Sequence, residues 1–117
     1  MKKSEQLAIN AKVLEYFQVY NDWVDSRNVF PRWERLRSCS AEVAPVIDAE
    51  TGELLYYVLR SYRTIVAIID TQTDTLIDFL RYVYGYTATS AQHIAKFGQD
   101  YGMGKWGCAN RLTYREV

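Results

Sequence analysis

Apolar residues recur every three or four positions near the start of the chain, at Leu7, Ala11, Leu14, Phe17 and Tyr20, and Val13, Tyr16 and Trp23 widen the stripe. That spacing predicts an amphipathic helix from Ser4, whose hydroxyl caps its start; Asn21-Asp22 together with Asp25-Ser26 end it. Pro31, suited to a first helical position, opens a short helix over Arg32 to Arg37. The pattern then changes. EVAPVIDAETGELLYYVLR places two β-favouring runs around Asp48-Ala49-Glu50-Thr51-Gly52, a hairpin in which Gly52 takes the left-handed position. Pro45 cannot donate a ladder hydrogen bond, which puts the first of these strands at an edge. Ile65 to Ile69 is apolar on both faces, as in a central strand covered from both sides. A turn over Thr71 to Asp74 leads into TLIDFLRYVYGY. There Leu76, Phe79, Leu80 and Val83 fit a helix, but the alternation of Tyr82, Tyr84 and Tyr86 favours a strand over most of the segment.

The next helix is announced by Thr89-Ser90-Ala91-Gln92, a capping-box pattern. In it the Thr89 hydroxyl accepts from a backbone N–H three residues on, Gln92 reaches back, and His93 falls in the first turn. Ile94, Phe97 and Tyr101 supply the apolar stripe of a helix over about residues 90–101, and Gly102 stops it. A short strand from Arg111 to Glu116 completes the chain. These elements make an α+β fold: an N-terminal helix, an antiparallel sheet of about four strands, a second helix and a short C-terminal strand.

A length of 117 residues, with 49% apolar and 24% charged, suits one globular domain spanning residues 1–117. Fourteen basic residues balance fourteen acidic ones, so nothing global draws the chain to nucleic acid or an anionic membrane. No apolar run approaches a membrane span, and the N-terminal one is too short for a secretory signal. The cytoplasm is the expected location. Cys39 and Cys108 have no companion at metal-ligand spacing, which argues against zinc; spacing alone leaves a disulfide open, though reduced thiols suit that compartment.

Several residues qualify as sites. His93, the one histidine, lacks a metal-ligating or catalytic companion at helical spacing, since Thr89 and Phe97 flank it at four residues; a structural role at the helix start is expected. Gly102-Met103-Gly104-Lys105-Trp106-Gly107 has the letters of a dinucleotide fingerprint but follows a helix instead of a strand. It reads as a flexible connection with Lys105 and Trp106 as a contact tip. Arg27, Arg32, Arg35 and Arg37, with Arg60 and Arg63 further on, form a local charge bias beside Trp33. They either grip a single-stranded nucleic acid or form a solvated face neutralised by nearby acids. Asp70, Asp74 and Asp78 recur every fourth position without an EF-hand loop and read as turn and strand-edge solvation. No cofactor motif is present.

Two stretches, Ser61-Tyr62-Arg63-Thr64-Ile65-Val66-Ala67 and Tyr86 to Phe97 (YTATSAQHIAKF), resemble small uncharacterised proteins of phages and mobile elements in Gram-positive bacteria. Those carry SYxTxVA-like and YSxTTSxHIxxF-like segments. Thr87, Ser90 and Ala91 stand where serine, threonine and serine are commoner in that pattern. The resemblance implies a setting, not a catalytic residue: small proteins of this kind bind host machinery, defence nucleases included. The expected function is therefore non-enzymatic, binding and occluding a host protein or ribonucleoprotein, as an anti-CRISPR-like inhibitor does. Trp33, Arg35, Tyr84 and Trp106 are the expected anchors, joined by Arg32, Arg37 and Lys105. Nucleic-acid binding through the Arg/aromatic patch is the alternative, and a tyrosine-bearing strand could pair two copies into a homodimer.

Overall fold

The computed structural model describes residues 2–25, 33–83 and 85–117, with residues 19–25 described through their helical backbone alone. The first apolar stripe folds as helix α1, Lys3–Asp25, which places Ser4 inside the first turn and not at the cap. Its inner face buries Val13 completely and packs Ile9, Tyr16 and Phe17 against one side of the sheet.

Six strands follow, β1 (Glu34–Arg35), β2 (Ala41–Ile47), β3 (Leu54–Ser61), β4 (Thr64–Asp70), β5 (Thr75–Asp78) and β6 (Asn110–Thr113), and they lie side by side in sequence order. β1 to β5 are antiparallel, whereas β6 runs parallel to β5. The expected sheet of about four antiparallel strands is therefore larger and mixed. The parallel pair has a topological cause. Helix α3, Ala88–Tyr101, carries the chain back along one face, so β6 enters in the direction in which β5 left. Where a short helix was expected over Arg32 to Arg37, Glu34 and Arg35 pair with Val43 and Glu42 instead. This moves β2 one place in from the edge. Pro45 faces Tyr57 of β3 and lies past the last pair that β1 makes with β2.

The ambiguous TLIDFLRYVYGY segment divides at Asp78. Its carboxylate oxygen Oδ1 accepts the Leu80 N–H at 3.0 Å and turns β5 into a one-turn helix α2, Leu80–Val83. Tyr82 therefore sits on a helix, Tyr84 lies outside the described residues, and the tyrosine-bearing strand proposed for pairing two copies does not form. The hairpin at Asp48 is as expected. Asp48 Oδ1 accepts from the Glu50 and Thr51 N–H groups, and Gly52 has φ +72°. The β3–β4 turn is less usual, because its two central residues, Tyr62 and Arg63, take φ +48° and +72° without being glycine.

Successive residues of the strands divide between two cores. Leu59, Val66, Ile69 and Leu76 meet Ile94 and Phe97 of α3, while Val46, Val58, Ile68 and Ile77 meet Val13 of α1 and Phe79. Each fully buried Phe, Leu or Ile stabilises by roughly 1.5–3 kcal/mol, which is why the chain tolerates a sheet with a helix on each face. No helix among the described residues is long and apolar enough to cross a membrane.

Candidate binding face

The two stretches Ser61–Ala67 and Tyr86–Phe97 meet in space. Ser61 Oγ, at the end of β3, lies 3.0 Å from Ser90 Oγ and 2.9 Å from His93 Nδ1 on α3. Ser61 and Ser90 have no exposed surface and His93 retains 3%. Tyr62 covers the imidazole with ring centroids 5.7 Å apart. Burial, and then the nearby Lys96, hold the His93 pKa below its ordinary 6.5, so the ring stays neutral. A serine hydroxyl beside an imidazole is the distance a nucleophile and base require, but a substrate cannot reach Ser61, and no carboxylate orients the ring among the described residues. The trio ties sheet to helix.

The cap of α3 lies two residues before the expected one. Thr87 Oγ1 accepts the Ser90 N–H at 3.2 Å, so Thr89 and Gln92 stand exposed on the helix surface and form no capping box. An N-cap needs extended backbone, and Thr87 has it, with φ −127° and ψ 141°. At the other end Gly102 closes the helix with φ −70°; it must be glycine for another reason, since a Cβ there would lie 2.4 Å from the Cys108 nitrogen.

That close approach begins a built loop, not a flexible one. Asp74 Oδ1 accepts the Met103 N–H and Oδ2 accepts the Ala109 N–H, both at 2.9 Å, while Gly104 and Gly107 bridge each other. These bonds hold the Asp74 carboxyl below its usual range, with the Met103 amide the largest cause. Asp74 itself has φ +50°, a conformation that aspartate tolerates better than most residues. The loop so fixed leaves Trp106 87% and Met103 74% exposed, with Lys105 Nζ 5.4 Å from the Trp106 ring centroid.

Beside the loop lies a groove of about 620 Å³ between α1, α2 and the end of β6. Arg81, Arg111 and Arg115 line it against a single carboxylate, Asp78, and Tyr86 forms part of its rim. Asp78 Oδ2 accepts from Arg111 at 3.1 Å and so fixes that guanidinium. Arg81 lies 4.8 Å over the Tyr86 ring, and neither Arg81 nor Arg115 has a carboxylate partner among the described residues. Arg111 also borders a smaller hollow lined by Trp106, Gly107 and Cys108, and is the residue through which the groove meets the loop.

The structure keeps part of the expected arginine patch together, with Arg35, Glu42 and Arg60 opposite one another across β1, β2 and β3, and turns Arg37 away from it. Arg37 donates to both carboxylate oxygens of Asp100, at 2.8 and 2.7 Å, and to Gln99, clipping the β1–β2 turn to α3. Trp33 is half-buried against the α1 core, with Arg60 stacked at 3.9 Å on its ring and itself paired to Glu42. Arg37 and Trp33 both have partners within the fold, although Arg37 remains exposed. Arg35 is exposed on β1, far in the sheet order from β6; Arg32 and Arg27 lie outside the described residues. Lys105 and Trp106 also stay together as expected. Missed altogether were Arg81, Tyr86, Arg111 and Arg115, which come from separate segments; the alternation of Arg111, Thr113 and Arg115 on one side of an extended run was their one legible signal.

Among the described residues no three His, Cys, Asp or Glu side chains gather in a way that could hold a metal ion. The two cysteines are free thiols; burial, then the Asp74 charge, push Cys108 up to about 11. No protein-family model, curated protein or solved structure matches the chain.

Proposed function

We propose that this is a non-enzymatic binding protein that occludes a macromolecule of a bacterial host, with the Trp106 loop as its principal anchor. The observation that carries this reading is the rigid presentation of an 87% exposed tryptophan on a loop clamped by Asp74. An indole held in water contributes nothing to folding. On binding, however, the loop backbone that carries it has already been ordered by the fold, and preorganisation of this kind favours affinity. The inaccessible Ser61–His93 pair supports action without turnover. The resemblance of Ser61–Ala67 and Tyr86–Phe97 to phage and mobile-element proteins supports the host setting, with inhibition of a defence nuclease as its most specific form.

The test is affinity capture from a bacterial lysate with the intact protein and with Trp106→Ala as baits, each with and without nuclease. Loss of the captured partner by roughly 30-fold or more in the variant, with thermal stability unchanged, is expected of a hot spot worth about 2 kcal/mol. Equal capture by both baits would remove Trp106 from the interface and the proposal with it.

A further inference from the structure

We propose that the arginine-lined groove binds single-stranded nucleic acid, with its phosphates on Arg81, Arg111 and Arg115 and its bases on Tyr86 and Trp106. This names a ligand class for the binding face proposed above and rests on that reading, but a different observation carries it. The groove gathers three guanidinium groups against one carboxylate in a chain whose net charge is zero. That carboxylate, Asp78, bonds to Arg111 and to the Leu80 N–H, so it positions one cation and leaves the other two uncompensated among the described residues.

Spacing favours a linear polyanion over a lone phosphate or carboxylate. Arg111 and Arg115 are four residues apart along the extended C-terminal run, which at strand rise separates them by roughly 13 Å. Cations attached over that length, with Arg81 across the groove, suit the repeated phosphates of an extended strand better than a single anion. Arg111 begins the series in register with Leu76 of β5, and Asn10 holds the far end by accepting the Arg115 N–H and donating to the Arg115 carbonyl.

The aromatic rings decide between a nucleic acid and an acidic peptide. Tyr86 is 58% exposed beside Arg81, and Trp106 stands on the other side of Arg111. Exposed rings flanking a run of cations give bases a stacking surface, available only where the bases are not already stacked in a duplex. An acidic peptide would use the cations and leave the rings idle.

The experiment is fluorescence anisotropy of labelled oligo-dT and oligo-U of about twelve nucleotides, a length within the range of known single-strand sites. A duplex of equal length and polyglutamate serve as competitors. The intact protein should bind the single strands saturably and in preference to both competitors, with a log–log salt slope of about −2 for three neutralised phosphates. Arg81→Gln/Arg115→Gln removes two cations that no described carboxylate needs, so the fold should persist by circular dichroism. Binding should weaken at least tenfold and the slope flatten to about −0.7. Tyr86→Ala should weaken binding by roughly fivefold or more with the slope unchanged, as loss of one stacked base requires. Arg35→Gln, on the opposite side of the sheet order, should change nothing. Equal competition by polyglutamate, preference for the duplex, or unchanged affinity in the double variant would each overturn the inference. If Trp106→Ala abolishes capture from lysate while no oligonucleotide binds, the face stands and the ligand class falls.

Discussion

An imidazole enclosed with two hydroxyls is a pH-dependent fastening. His93 is neutral in the fold because burial lowers its pKa, whereas in the unfolded chain it protonates near 6.5. The unfolded state therefore binds more protons as the pH falls through 6.5, and stability, flat above that value, declines below it. Equilibrium unfolding of the intact protein and of His93→Ala from pH 8 to 5 should show this slope in the first and not in the second. At pH 8 the variant should lose about 2 kcal/mol, from the cavity and the lost Ser61–imidazole hydrogen bond. The aspartates teach the same lesson about residues. Asp70 accepts from Tyr16 on α1 at 2.8 Å, and burial with that carboxylate pushes the Tyr16 phenol up to about 12; Asp74 clamps the glycine loop; Asp78 starts α2 and holds Arg111. Their regular spacing was visible in the sequence, and so were the local turn contacts of Asp70 with Gln72 and Asp78 with Leu80, but Tyr16, Met103, Ala109 and Arg111 belong to distant segments.

At the scale of elements, the Gly102–Cys108 loop depends on one side chain. Asp74→Ala removes both carboxylate acceptors, and we expect the Met103 and Ala109 amides to exchange with solvent much faster while α3 and the sheet keep their protection. The cost should be about 1–2 kcal/mol, for two charged hydrogen bonds at an exposed site. Hydrogen exchange by NMR measures both. Acid should act in the same direction: the depressed Asp74 pKa contributes stability that is present above the ordinary 3.8 and is lost as the pH falls through the lowered value. The longer elements were legible because their signals are local, as in the stripe of α1, the Asp48 turn of β2–β3 and the apolar run of β4. The short strand β6, Asn110–Thr113, was also expected, over Arg111 to Glu116, but two other short elements were not. β1 has two residues, α2 has four, and each exists because of a partner outside its own sequence. The arginine patch divides in the same way: Arg37 meets an aspartate 63 residues away, Arg35 and Arg60 share a cross-strand row, and the groove cations Arg81 and Arg115 lie where no charge run marked them.

For the whole molecule, the outer side of β6 is one of the two edges, with β1, at which the described sheet could grow. The α1 side chains cover it. Gln6 donates to the Thr113 carbonyl, and Asn10 donates to the Arg115 carbonyl while accepting the Arg115 N–H, so two amides stand in for a neighbouring strand. Gln6→Ala/Asn10→Ala should expose that edge, lower stability by about 2 kcal/mol and produce dimers or larger species by sedimentation velocity where the parent gives none. A double variant that stays monomeric would show that the edge is protected by something else.

The Ser61–Ser90–His93 contact has a further consequence for descent. Because one buried hydroxyl serves both partners across two elements, a lineage that replaces His93 with an apolar side chain gains by replacing Ser61 too, and relatives should differ at these positions in concert, seldom singly.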